Sequence, residues 1–265
     1  MCYFILKMLT SEDMTNDRWT MVVLLKLLRK YYSIIMLKIL LFLFLLIVSI
    51  YSCNPKLSNG LRRNDLKKDV EMVTDKGTMI IRLSDSTPLH RDNFLKLVKQ
   101  GFYDSMIFHR VIKNFMIQSG DPDSKHAKAG EELGNGDLSY TIPAEFRPSL
   151  FHYKGVLAAA RTGDDVNPKK ESSASQFYLV EGKKFTPETY EKAEKRAVRK
   201  IPADQKEVYM TRGGTPHLDG GYTVFGETIK GLDIIDSISV VKTDSNDRPL
   251  IDVRIIKVRL IKRIK

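Results

Sequence analysis

Cysteine is nearly absent from this chain: Cys2 and Cys53 are its whole complement, and both lie in the N-terminal region. The part expected to fold therefore has no pair with which to form an internal disulfide, and oxidation does not hold it together. Compartment stays open on that ground, because an oxidising environment permits disulfides without requiring them. Metal-ligand spacing is missing too. The histidines His90, His109, His126, His152 and His217 show no pattern such as HExxH, so no metal is expected. Gly130, Gly134 and Gly136 are not followed by the lysine and hydroxyl of a phosphate-binding loop, and no Gly-x-Ser-x-Gly nucleophile motif occurs. An excess of acid is also lacking, with 43 basic residues against 32 acidic ones. The basic residues are dispersed, however, through Lys67-Lys68, Lys169-Lys170, Lys183-Lys184 and Lys195-Arg196, with acids among them. Such mixing describes a solvated surface rather than a nucleic-acid footprint. Only the basic end Arg259 to Lys265 points toward an anionic surface.

No uncharged run reaches the ~20 residues of an ordinary membrane-spanning helix. The longest, Ile39 to Tyr51, has instead the length of a signal-peptide core and follows the short basic lead Met36-Leu37-Lys38. It ends at Ile50-Tyr51-Ser52-Cys53, which resembles the lipobox of bacterial lipoproteins, where the cysteine becomes the lipid-bearing first residue; Tyr51 is bulkier than that pattern prefers. The resemblance implies lipidation at Cys53 and anchoring to a membrane of the cell envelope, facing the periplasm or exterior. The competing reading is an uncleaved anchor extended upstream through Tyr31 to Ile35 and interrupted by Lys38. Residues 1-35 fit poorly within a signal peptide, and Met36 makes a more natural start. Removing residues 1-52 would take six basic and three acidic residues away and lower the formal net charge from +11 to +8. Residues 53-69 then form a lipidated cysteine and a flexible tether.

The whole chain is 43% hydrophobic, and what remains, 70-265, is long enough for one sizeable core. Val70-Thr74 and Thr78-Leu83 around Asp75-Lys76-Gly77 predict a β-hairpin. Thr87 and Pro88 open a helix carrying Leu89, Phe94, Leu97 and Val98, which Gly101 stops. Residues 122-147 show no period and read as a long surface loop. Gly155-Ala160 and Ser175-Val180 are expected strands. The charged segment 183-212 begins with the N-cap pattern Thr186-Pro187-Glu188 and is expected to form a helical insert divided at Pro202. After a turn at Thr215-Gly221 come a strand from Tyr222, a short helix around Leu232, Ile235 and Ile238, and a last strand Ile251-Ile261 with a bulge at Ile255-Ile256. Many short strands with few helices predict a mainly β fold closed into a barrel.

Within this pattern the stretch FHRVIKNFMIQSGDP from Phe108 is unusual, because His109, Arg110 and Gln118 stand in strands that would not need them. Together with SQFYLV from Ser175 and LDGGYTVFG from Leu218, in that order, it makes the chain from about Val70 to Lys262 resemble the cyclophilins. The resemblance implies a closed eight-stranded antiparallel β-barrel capped by two helices, a groove on its outer surface, and no cofactor. It implies peptidyl-prolyl cis-trans isomerase activity on proline-containing segments of unfolded or exported proteins, by a monomer that binds no nucleic acid. Carried over position by position, Arg110 is the catalytic arginine, His109 the histidine beside it, and Gln118 the amide that holds the substrate backbone. Phe115, Met116 and Leu218 wall the proline pocket, Ala160 is a small groove residue and Gln176 matches directly. Four positions depart from the family pattern. Arg161 stands for an asparagine, Tyr178 for a pocket phenylalanine, His217 for a tryptophan and Tyr222 for a histidine. Phe225 matches an aromatic that reads mainly as core. Because those departures alter the groove, a proline-peptide binding module or chaperone with little catalysis is the alternative reading.

Overall fold

The computed structural model describes residues 18-51 and 60-265, which belong to two compact units, Met1–Asn54 and Pro55–Lys265. Cys53, the first residues of the leader and the start of the tether lie outside the described residues. The first unit is one helix, α1 (Arg18–Tyr51), whose described large apolar side chains, among them Leu25, Leu40 and Phe42, are exposed. Among the described residues no helix is long and apolar enough to cross a membrane.

In the second unit the folded part begins ahead of Val70. Leu61 is fully buried in the core, and Asp65 accepts from Lys68 and Lys99 at 3.1 and 2.7 Å, so part of the stretch assigned to the tether is built into the fold. The hairpin forms as β1 (Lys68–Thr74) and β2 (Gly77–Leu83). Helix α2 (Pro88–Lys99) follows with Pro88 in its first turn and ends two residues before Gly101, whose φ is +66°. Then come β3 (Arg110–Ile112), β4 (Met116–Ser119), β5 (Thr141–Ile142), β6 (Val156–Ala159), β7 (Ser172–Ser173) and β8 (Phe177–Val180). The segment 183-212 holds α3 (Pro187–Glu194), with a Thr186/Thr189 capping box, and α4 (Ala203–Thr211), with Pro202 at its N-cap. β9 (Val224–Lys230), α5 (Leu232–Ser239) and β10 (Ile255–Lys262) complete the chain. The bulge falls where the sequence places it: Val73 pairs with Lys257 and Thr74 with Ile255, leaving Ile256 as the extra residue.

Eight strands form one antiparallel sheet in the order β10-β1-β2-β9-β6-β8-β4-β3, while β5 and β7 pair separately. The sheet curls into a half-barrel. Closure, expected from the sequence, is not reached, because β3 and β10 do not pair. Residues 105-108 meet 253-255 through backbone bonds of 2.8–2.9 Å and a single bridge, Ile107 to Arg254. Ser105, at φ +69°, turns the chain away before a longer ladder can form. Helix α2 packs against β9 and β10, and α5 against β2, β3 and β4.

Alternation along the central strands sorts their side chains between two apolar clusters. Ile117, Leu157, Ala159, Phe177, Leu179 and Phe225 join the helices in the main core. Met116, Val156, Ala158, Ala160, Tyr178, Val180 and Val224 point the other way and form a second cluster beneath Phe115, Leu218 and Tyr222. These strands are hydrophobic throughout because both faces are covered. The second face carries the site.

Candidate active site

Register brings the unusual polar residues into line. Arg110 lies opposite Gln118, Gln118 opposite Tyr178, and Tyr178 opposite Ala158, a transverse row across β3, β4, β8 and β6. Directly opposed residues share a face and stand ~5 Å apart. Arg110 and Gln118 therefore flank an apolar depression floored by Met116 and Tyr178. A cavity of about 290 Å³ opens there, lined by His109, Arg110, Phe115, Met116, Gln118, Ala160, Arg161, Tyr178, Leu218 and Tyr222. Its remaining walls are residues 132-135 and Asn246.

Residues 132-135 belong to the aperiodic loop, and their placement follows from the end of the motif. Gly120, at φ +97°, passes so close to the Ser175 carbonyl that a methyl group there would collide with it. That turn delivers Asp121, fully buried, whose carboxylate accepts backbone N–H groups from Asp123 at 2.9 Å and Gly136 at 3.3 Å as well as from Gly134. Gln176 pins the loop from the other side, donating to the carbonyls of Gly134 and Gly136 at 2.9 and 2.7 Å. Its Oε1 accepts from Gln118 Nε2 at 2.9 Å, which fixes the Gln118 amide at the cavity edge. Gln176 itself lines an adjoining depression of about 410 Å³ with Thr141, Asn167 and Glu171.

Arg110 is the most accessible charge of the row, its side chain 44% exposed and its Nε 3.4 Å from Asp247. The Val111 N–H, bonded to the Asp247 carbonyl at 2.8 Å, holds that loop against β3. Beside it His109 is 97% covered, and among the described residues neither ring nitrogen has a hydrogen-bond partner. Burial drives its pKa down to about 4, the nearby Asp121 opposing only in part, so the ring is neutral at ordinary pH.

Arg161 does not reach into the cavity as a free charge. Its Nε donates to the Gly221 carbonyl at 2.7 Å, its Nη1 pairs with Asp164 at 2.7 Å, and its guanidinium lies 4.5 Å from the Tyr222 ring centre. That pairing, Arg161 foremost, holds the Asp164 carboxyl below its usual range. Tyr178 presents its ring to the cavity while its hydroxyl is buried, and burial pushes the phenol pKa well up. His217 lies outside the cavity lining and stacks on Phe115, with ring centres 5.6 Å apart at 24°. Desolvation, then the charge of Arg196, lowers its pKa.

The structure thus gathers ten of the twelve groove residues expected from the sequence at one cavity, with Gln176 and His217 supporting its edges. Missing from the sequence reading were residues 132-135, Asn246 and Asp247. None has a local signal, because their partners lie far along the chain. Among the described residues no group of three or more His, Cys, Asp or Glu could hold a metal ion.

The curled antiparallel sheet thus carries an arginine, an amide and an apolar cavity on the face opposite its main core. Residues 69–260 match the family model of cyclophilin-type peptidyl-prolyl cis-trans isomerases, and the chain belongs to that family. A Staphylococcus epidermidis protein named "Putative peptidyl-prolyl cis-trans isomerase" is 35% identical over 200 residues, covering 75% of this chain and 93% of the relative. A Staphylococcus aureus protein of the same name is 34% identical over the same shares. The crystal structure of a Cryptosporidium parvum cyclophilin type peptidyl-prolyl cis-trans isomerase, 24% identical, superposes with a TM-score of 0.53 over 74% of this chain and 99% of its own. The same protein was also solved in the presence of the dipeptide Ala-Pro, with a TM-score of 0.52 here. The chain is a peptidyl-prolyl cis-trans isomerase by family.

Proposed function

We propose that this isomerase acts on X-Pro bonds in exported proteins at the cell envelope, with Arg110 stabilising the twisted amide and Phe115, Met116, Tyr178 and Leu218 holding the proline ring. The observation that carries the reading is the convergence of an accessible guanidinium, a tethered amide and those apolar walls on one cavity of about 290 Å³. Rotation about X-Pro is slow because amide resonance must be lost, a barrier of ~18–20 kcal/mol, and no bond is made or broken. A gain of about five decades in rate needs ~7 kcal/mol of stabilisation that the twisted state receives and the planar state does not. In the twisted state the proline nitrogen becomes pyramidal and basic. Arg110, partnered among the described residues at Nε by Asp247, has its terminal amino groups placed to donate to that lone pair, and its planar fork offers geometry that a lysine lacks. The Gln118 amide, held by Gln176, is placed to bond the substrate backbone.

Exchange spectroscopy on an X-Pro tetrapeptide tests this. The chain accelerates cis-trans exchange, Arg110→Ala lowers the rate at least about tenfold, and Arg110→Lys recovers only part of it. Equal rates for the parent and Arg110→Ala overturn the mechanism. Shifted peptide signals without exchange cross-peaks would make the protein a proline-peptide binder instead.

A further inference from the structure

Behind the groove, side chains from four segments form one continuous hydrogen-bonded chain. The Tyr178 hydroxyl turns away from the cavity and lies 3.0 Å from Nε2 of His152, the two rings stacked at 15°. Nδ1 of His152 lies 2.9 Å from Oδ1 of Asp219, which also accepts the His152 backbone N–H at 2.9 Å. Oδ2 of Asp219 accepts the Tyr209 hydroxyl at 2.8 Å and the Arg199 guanidinium at 2.9 Å. His152, Tyr209 and Asp219 are each at most 1% exposed.

A carboxylate only accepts, so Nδ1 of His152 donates to Asp219, and in the neutral tautomer this leaves Nε2 to accept from the Tyr178 hydroxyl. Isomerisation has no use for that hydroxyl. A phenylalanine would present the same ring to the cavity, and a buried hydroxyl needs a partner, which His152 supplies. The far end of the chain is equally specific. Arg199 and Tyr209 belong to the segment 183-212, which has an apolar cluster of its own made by Phe185, Tyr190, Ala193, Ile201 and Tyr209. The stem of Arg199 lies over Gly220, and its guanidinium also bonds Gln205, whose amide donates to the Pro148 carbonyl at 2.8 Å. Asp219 directly follows Leu218, a wall of the cavity. One carboxylate therefore joins the segment to two of the cavity's residues, Leu218 through the backbone and Tyr178 through His152.

We propose that His152, Asp219 and Arg199 are positioning residues that hold Tyr178 and Leu218 in place, so that the segment 183-212 helps determine how tightly the groove takes a proline peptide. This rests on the reading of the cavity as the proline pocket. Loosening the wall weakens ground state and twisted state alike, so KM rises while kcat stays.

The test uses the full chain in mild detergent and an Ala-Pro tetrapeptide, reading Kd by NMR titration and kcat and KM by exchange. Arg199→Ala is expected to raise Kd and KM about threefold or more with kcat held within about twofold, and Arg199→Lys to recover part of the loss. In the Tyr178→Phe background, where the route through His152 is cut and only the one through Leu218 remains, Arg199→Ala raises Kd by a clearly smaller factor than in the parent. Tyr209→Phe, which keeps the ring and removes one donor to the same oxygen, shifts Kd in the same direction even if Arg199→Ala unfolds the segment. An unchanged Kd in both Arg199→Ala and Tyr209→Phe, or equal weakening by Arg199→Ala with and without the Tyr178 hydroxyl, overturns the proposal. Absence of exchange in the parent protein overturns the isomerase reading of the site, while the Kd comparison still decides the coupling.

Discussion

His109 and Arg110 are neighbours in sequence with opposite fates. The arginine is exposed and charged, while the histidine is sealed against the loop at Gly134 with a pKa near 4, against an ordinary value of 6.5. A histidine depressed in this way contributes stability that is fully present above pH 6.5 and is lost as pH falls toward 4, because the unfolded chain then binds a proton that the folded one refuses. The full shift corresponds to on the order of 3 kcal/mol, of which about 2 kcal/mol is lost between pH 7 and pH 5. Urea unfolding at those two pH values is expected to show the drop, and His109→Gln to shrink it; an unchanged difference in the variant would mean that the ring is not buried neutral. The same pairing shows what the sequence could reveal. Arg110, Phe115, Met116 and Gln118 were legible because the motif is contiguous and its alternation assigns their faces. The engagement of Arg161 with Gly221, and of Arg110 with Asp247, was not, because each depends on where a distant loop comes to rest.

Elements with local punctuation were readable in order: the β1-β2 hairpin, α2 with Pro88 in its first turn, the start of α3 at Thr186-Pro187 and the bulge in β10. The short pair β5-β7 was not, since two residues carry no period, and it is placed by long-range bonds. Two elements lend themselves to measurement. Thr186 and Thr189 exchange side-chain and backbone bonds in a capping box, so Thr186→Ala is expected to cost ~1 kcal/mol, seen as faster amide hydrogen exchange across α3. Unaltered protection there would show that tertiary packing of Tyr190 alone holds the helix. Gly120 ends β4 where its left-handed φ and the Ser175 carbonyl leave no room for a side chain. Gly120→Ala is expected to lower the melting temperature by at least about 2–4 °C, the order that 1 kcal/mol represents for a domain of this size, and to loosen Asp121 and the loop it holds. A variant as stable as the parent would show that the strand edge shifts freely.

The molecule as a whole combines a half-barrel whose seam is spanned by only a few backbone bonds with an N-terminal helix that exposes apolar side chains over its described length. Local patterning could not distinguish a closed barrel from this one, since the difference lies in how few residues run alongside at 105-108 and 253-255. The exposed face of α1, with Leu25, Leu37, Leu40, Phe42 and Phe44, is a large apolar surface that water does not favour. We propose cleavage before Cys53 and acylation of that residue, which removes the helix and substitutes lipid chains worth ~0.8 kcal/mol per buried CH₂; two or more chains make the attachment stable. The mature chain then sediments with membranes, lacks residues 1-52 by mass, and takes up labelled fatty acid, whereas Cys53→Ser takes up none. A membrane-bound chain that retains the helix by mass would replace acylation with an uncleaved anchor. Recovery of the unlabelled parent in the soluble fraction would sink both forms of attachment, and with them the placement of this isomerase among exported clients.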